Sequence, residues 1–318
     1  MQTAPPETTH HRPPAVAVLL CTFQGERHLA EQLDSIGGQT HPRWTVWVSD
    51  DGSTDNTSAI LDRYRSRWGA ERLSIQKGPA AGFAANFRSL TCRADIDADC
   101  YAWADQDDVW EPAKLERALA WLQSVPADTP ALYGTRTLLT DEEDQPIGKS
   151  PLFTRAPSFS NALVQSIAGG NTMVFNRAAR ELLMQACSQG EAVAPDWLAY
   201  LLVSGCGGSV HYDPWPSVRY RQHSDNLSGS NVSLGGRWRR LRLLLGGQFK
   251  GWIDANLVIL ERVRYRMPER NLKVLDAFVR ARRQPTSRRL NGFRQAGIHR
   301  QTGLGNIGLA VAALLNRI

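Results

Sequence analysis

Apolar and polar positions alternate with two different periods along the first two thirds of the chain. Short apolar runs, "AVAVLLC" (15–21), "WTVWVSD" (44–50), "RLSIQ" (72–76), "CYAWAD" (100–105) and "ALYGTRTLL" (131–139), are bounded by polar or turn-forming residues and predict strands. Between them lie amphipathic stretches of helical spacing. The clearest begins at Pro112, a favourable first helical residue, and places Leu115, Ala118, Leu119 and Leu122 on one face. Strand and helix in alternation predict an α/β fold, with a mixed, mostly parallel sheet flanked by helices.

In such sheets ligands gather at the carboxyl ends of the strands. Three polar clusters fall there: "CTFQGE" (21–26), "SDDGSTD" (49–55) and "ADQDD" (104–108). In the second, Ser53 or Thr54 capping the helix that carries Ile60, Leu61 and Tyr64 accounts for one acid near the helix dipole, not for both Asp50 and Asp51. An Asp at a strand end can accept from the imide N–H of a pyrimidine and a second can hold a ribose hydroxyl, so a nucleotide site and a helix entry both fit. In the third, Asp105, Asp107 and Asp108 crowd like charges behind a buried run, which raises a pKa or calls for a cation. An Asp-x-Asp pair offers hard oxygens to Mg²⁺ or Mn²⁺ and leaves positions open for phosphates; a solvated acidic turn is the alternative.

Charge changes the picture of the far end. The formal net charge is +6, yet from Gly235 onward 18 Arg and Lys stand against 4 Asp and Glu. The Ser, Gly and Asn of "NLSGSNVSLGG" (226–236) mark the change, giving a polar lead-in over 1–14, a catalytic-type domain over 15–230 and a basic, mainly helical region over 231–318. No nucleic-acid-binding motif accompanies the basic residues, so no nucleic-acid partner is expected. The opening residues are polar and proline-rich without an apolar signal segment, and "IGLAVAALL" (307–315) is short of the roughly 20 residues a bilayer span needs. Five cysteines without close pairs predict reduced thiols, and a cytoplasmic location follows.

The ordered blocks "VAVLLCTFQGERHLAEQLDSI", "SDDGSTDNT", "GFAANF", "ADQDDVW", "GGNTMVFN", "APDW" and "YRQH" resemble a family 2 glycosyltransferase with the GT-A fold. "DQDDVW" and "YRQHSDN" are similar to bacterial rhamnosyltransferases of cell-surface polysaccharide synthesis, including O-antigen. The resemblance implies that Thr22, Glu26, Asp50, Asp51 and Asn86 line the nucleotide site, that Asp105 approaches ribose or metal, and that Asp107 ligates Mg²⁺ or Mn²⁺. Asp108 would only cap the next helix. Gln24 stands where family members often carry Asn, which leaves its contact open. Asp196 is implied as the base for the acceptor hydroxyl, with Glu191 as rival and a helix N-cap as the structural alternative. Arg221 would pair with diphosphate and His223 with the metal or leaving group; Gly169, Gly170, Asn171 and Trp197 would floor the donor and acceptor site.

The expected activity is therefore inverting, metal-dependent hexosyl transfer, with L-rhamnose from dTDP-L-rhamnose as donor and a growing glycan or lipid-linked glycan as acceptor. A UDP-hexose donor is the first alternative. A nucleotidyltransferase, a non-catalytic nucleotide-sugar sensor and a nucleic-acid-binding module are remoter ones. In "GGRWRRLRLLLGGQFKGW" (235–252), Trp238, Leu241, Leu244 and Leu245 recur at helical spacing among Arg237, Arg239, Arg240 and Arg242. Peripheral attachment to an anionic membrane face is expected from that pattern, against a helix packed on the catalytic domain with a solvated basic face.

Overall fold

A computed structural model describes residues 12–187, 194–222 and 248–318. Among the described residues nine strands form one sheet: β1 Val16–Thr22, β2 Trp44–Asp50, β3 Leu73–Lys77, β4 Cys100–Asp105, β5 Val109–Trp110, β6 Ala131–Thr140, β7 Pro146–Lys149, β8 Val174–Asn176 and β9 Ser209–Arg221. Their order is β3-β2-β1-β4-β8-β6-β9-β5, with β7 beside β6. The first four strands in that order are parallel, β8 runs against both β4 and β6, and β9 is parallel to β6. Every residue of β1 is buried, because helices cover both faces of the sheet there.

Among the described residues the helices of the first part are α1 Leu29–Gly37, α2 Thr57–Trp68, α3 Phe83–Thr91, α4 Lys114–Leu122, α5 Phe159–Ala162, α6 Arg177–Cys187 and α7 Pro195–Gly205. The basic part adds α8 Gln248–Arg262, α9 Glu269–Arg283, α10 Thr286–Gln295 and α11 Gly303–Leu314. One face of the sheet packs Val18, Leu20 and Ala102 against Leu29 and Leu33 of α1, Leu61 of α2 and Leu115 of α4. The other packs Leu19, Trp103 and Phe175 with Leu198 of α7, and that same core continues into Leu260, Phe278 and Leu309 of the later helices.

The five expected strands form within about one residue of their expected ends. The helix expected from Pro112 starts at Lys114, with Pro112 in the preceding turn, and it buries the four apolar residues foreseen. Register then brings the polar clusters together: Thr22 pairs with Asp50 and Cys21 pairs with both Ser49 and Asp105. Because β8 is antiparallel to β4, with Val174 opposite Ala102, the turn that feeds β8 lies beside the Asp105 end of β4. Most of the 235–252 stretch, including Trp238, Leu241 and the four arginines, lies outside the described residues, as do Glu191 and His223.

Candidate active site

The nucleotide-type half of the site is built by hydrogen bonds between strand ends. Thr22, buried at the end of β1, donates through Oγ1 to Asp50 Oδ1 at 2.8 Å. Asp50 also accepts from the Ser53 amide at 2.9 Å and from the Ser53 hydroxyl, which folds the 50–53 loop back on the strand. Asp51 turns the other way and accepts from the amides of Ala80 (2.7 Å) and Gly82 (3.1 Å), holding the entrance of α3. Gly78 has to be glycine here: a Cβ would stand 2.6 Å from Asp51 Oδ1 and 2.9 Å from Asn86 Oδ1. Asn86 is buried and donates to the Ser49 carbonyl at 2.9 Å, while its Oδ1 has no hydrogen-bond partner among the described residues. Glu26 is exposed and accepts from the Asn56 amide and side chain, so it fastens the loop before α2.

Gln24 resolves the contact that its departure from Asn left open. Its backbone has φ +52°, a conformation Asn adopts more readily than Gln, and its side chain still spans to the Thr54 and Asp55 amides at 3.2 Å each. Gln106, inside "ADQDD", holds the same loop by exchanging two 2.8 Å hydrogen bonds with the Phe23 backbone. Gln32 of α1, fully buried, donates to the Asp105 carbonyl at 2.9 Å and fixes the end of β4. Neither glutamine was foreseen, although the position of Gln106 between the acids was a usable signal.

The acidic turn is only partly open. Asp105 and Asp107 are half-buried, whereas Asp108 is 1% exposed. Burial, helped by the charges of Asp107 and Asp196, pushes the Asp105 carboxyl up to about 7. Burial also pushes the Asp108 carboxyl well above the ordinary range, with Asp107 and Asp105 adding to it. Asp108 does not cap α4, whose N-cap is Ala113 without a side-chain bond. Its Oδ2 accepts from Asn171 Nδ2 at 2.6 Å, and the Asn171 carbonyl accepts from the fully buried Lys114 ammonium at 2.9 Å. That ammonium sits 4.5 Å from the centre of the Trp110 ring, and burial lowers its pKa to about 7 against the pull of Asp108. Sequence reasoning passed over Lys114, although its spacing to Ala118 and Leu122 places it on the buried face of α4.

Asn171 belongs to the short helical turn Gly170–Thr172. A Cβ on Gly170 would lie 3.5 Å from Asp196 Cβ and 3.7 Å from the Trp103 ring, so this turn passes directly between strand β4 and the start of α7. Gly169 is similarly close to its own neighbour, since a Cβ there would meet Asn171 Oδ1 at 2.7 Å. Asp196 is inside the first turn of α7, after Pro195, and the N-cap position itself is Ala194. Burial raises the Asp196 carboxyl above the ordinary range, opposed by hydrogen bonds from the Trp197 amide and the Ser166 hydroxyl.

Asp105, Gly169, Gly170, Asn171 and Asp196 line one cavity of about 780 Å³, joined from the far end of the chain by Arg300, Thr302, Leu304, Gly305 and Gly308. No local sequence signal marked that last contribution. Trp197 is not among the lining residues: one position along a helix turns a side chain by about 100°, and Trp197 Nε1 donates instead to the Ala162 carbonyl at 2.7 Å while its ring stacks on Phe249. Arg221 is also placed differently from the expectation. It is 3% exposed, pairs with Glu31, and donates to the carbonyls of Glu142 (2.7 Å) and Asp107 (3.4 Å), beneath the acidic turn.

Among the described residues no three His, Cys, Asp or Glu side chains form a closed metal cage. Two aspartates crowded at a strand end nevertheless suit a cation that shares its shell with substrate oxygens, as Mg²⁺ and Mn²⁺ do when they bind through one or two carboxylates and a diphosphate. The donor set therefore fits an open site at Asp105 and Asp107.

Comparison with known proteins gives a consistent result. The family described as "Glycosyl transferase family 2" matches residues 17–183. A relative from Shigella flexneri, "dTDP-rhamnosyl transferase RfbG", is 26% identical over 236 residues, 71% of this chain and 78% of its own. Similar solved structures include TarS 1-349 of S. aureus in complex with UDP-GlcNAc (TM-score 0.52, 15% identity, 89% of this chain and 90% of that one). The mannosyltransferase PcManGT of Pyrobaculum calidifontis, in complex with GDP-Man and Mn²⁺, is another (TM-score 0.51, 18% identity, 96% of this chain and 86% of that one).

Proposed function

The chain belongs to glycosyl transferase family 2 and has the mixed α/β fold of GT-A glycosyltransferases, and from that premise we propose that it transfers L-rhamnose from dTDP-L-rhamnose, with inversion, to a growing cell-surface glycan or lipid-linked glycan. The observation that carries the catalytic part is the cavity in which Asp105, at a strand end, and Asp196, at a helix start, meet across the Gly170 turn. The choice of sugar is supported by the Shigella relative and by the "DQDDVW" wording of the acidic turn.

In this proposal the base and ribose lie over Thr22, Asp50, Asp51 and Asn86, where the Asn86 Oδ1 awaits a donor. Asp107 and Asp105 would hold Mg²⁺ or Mn²⁺ together with the donor diphosphate; when bound, the cation supplies neutralisation of charge growing on the leaving group. Arg221, through the Asp107 carbonyl, keeps the acidic turn in place rather than reaching the diphosphate. Asp196 takes the proton of the acceptor hydroxyl as its oxygen bonds to the anomeric carbon and the bond to the diphosphate oxygen breaks. A carboxyl raised by burial is a stronger base than an exposed one, and a placed base of this kind contributes about 10²-fold or more. Asn171, held by Asp108 and Lys114, fixes the floor between the two acids. Attachment to the cytoplasmic face of a membrane through the basic 235–252 stretch belongs to the same proposal.

The test is nucleoside diphosphate release from a panel of dTDP-, UDP- and GDP-sugars in the presence of extracted cell-surface glycan lipids. Preference for dTDP-L-rhamnose is expected. Preference for a UDP-hexose would overturn the sugar and leave transfer standing, and no release from any donor would overturn both.

A further inference from the structure

Among the described residues nothing covers one apolar face of the last helix. Along α11, Leu304 (77% exposed), Ile307 (62%), Val311 and Leu314 follow one another at steps of three and four, with Leu315 beside them, all in solvent. Leu309, Ala312 and Ala313, on the opposite side, are buried in the core. Single exposed apolar residues are ordinary, but a stripe running the length of a helix marks a surface that binds something. From Gln301 to Asn316 there is no charged residue at all. The helix is about 18 Å long, against about 30 Å of bilayer core, and no described helix is long and apolar enough to cross a membrane.

We infer that the Leu304–Ile307–Val311–Leu314 face of α11 lies on an anionic lipid bilayer and sets the mouth of the catalytic cavity against it. Charge decides between lipid and a second copy of the chain. The stripe belongs to the described stretch 248–318, which carries 14 Arg and Lys against 4 Asp and Glu, with Arg300 just before the helix and exposed Arg317 just after it. Two copies meeting on this face would bring like charge against like charge, whereas an anionic surface attracts the basic residues while its acyl chains receive the leucines. Place supports the same occupant: Leu304, Gly305 and Gly308 of α11 line the cavity that holds Asp196, and Phe83, exposed, stands on its wall as well. A hydroxyl carried just above a membrane would enter there. The inference draws its purpose from the glycosyl-transfer reading, but docking itself requires no donor. It also differs from attachment by basic charge alone, because apolar insertion survives salt.

Flotation of the full chain with vesicles of phosphatidylcholine, with and without phosphatidylglycerol, at low and high salt, tests it. The wild type is expected to float with the anionic vesicles and to stay partly bound at high salt. Ile307→Asp, Val311→Asp and Leu314→Asp together should reduce high-salt binding by about 10³ or more, since each removes an exposed apolar side chain whose transfer into the acyl region is worth about a factor of ten or more. The same three positions changed to Gln should give the same direction, and circular dichroism and nucleotide-sugar binding should be unchanged in whichever variant is used. Equal flotation of variant and wild type, or no flotation of the wild type at low salt, would overturn the inference. So would a wild-type dimer in sedimentation that the triple variant converts to monomer. A protein that floats as expected yet releases no nucleoside diphosphate would support docking and contradict the transfer reading.

Discussion

On top of burial and the charge of Asp107, the charge of Asp196 helps hold the Asp105 carboxyl at about 7, although one residue ends a strand and the other begins a helix far along the chain. A carboxyl raised by burial and by neighbouring acids stores unfavourable charge when ionised, and a substrate complex with a cation relieves it.

Stability should show that stored charge. The folded state keeps a proton on Asp105 that the unfolded chain gives up near 3.8, so the wild type loses stability as pH rises from there to about 7. Asp105→Asn lacks this loss. With metal chelated, its advantage over wild type should appear across that window and reach a few kcal/mol, at most about 4, above about pH 7, read from urea unfolding. Equal pH dependence of the two proteins would contradict the burial of that charge.

Metal dependence should centre on Asp107. Asp107→Asn keeps the shape and removes an anionic ligand, so transfer should vanish at ordinary Mg²⁺ or Mn²⁺ levels while the melting transition is kept. Chelation should abolish wild-type turnover and either ion should restore it. Full activity of the variant would sink the ligand assignment.

Asn171 should matter for both fold and rate. Asn171→Ala leaves the buried Asp108 carboxyl without its 2.6 Å donor and should cost about 2 kcal/mol, the scale of a buried polar group left unsatisfied. Because the turn it belongs to separates Asp105 from Asp196, kcat should fall more than donor affinity does. A stable variant with normal kcat would show that the floor has no positioning role.

These expectations also mark how far the sequence could be read. The parallel strands were legible because fully covered strands appear as unbroken apolar runs, as Val16 to Cys21 does. The acids at their ends were legible because charge directly after such a run has few structural uses. The pairings of Thr22 with Asp50 and Lys114 with Asn171 were not, since they depend on register and on the antiparallel entry of β8. Charge misled where burial was invisible: Arg221 read as a phosphate ligand and is enclosed beneath the Asp107 turn, and the fully buried Lys114 drew no reading at all. Trp197 was one helical step from the right place.

The most direct measurement is the pH dependence of kcat and kcat/KM for Asp196→Asn beside the wild type. The wild type should lose kcat/KM on an acid limb that lies above the ordinary carboxylate value of 3.8, because the base must be ionised and burial raises it. Asp196→Asn should lower kcat by about 10² or more, lose that limb and bind nucleotide sugar as before. A variant that keeps wild-type kcat and the same limb, with Glu191→Gln losing both instead, would contradict the account.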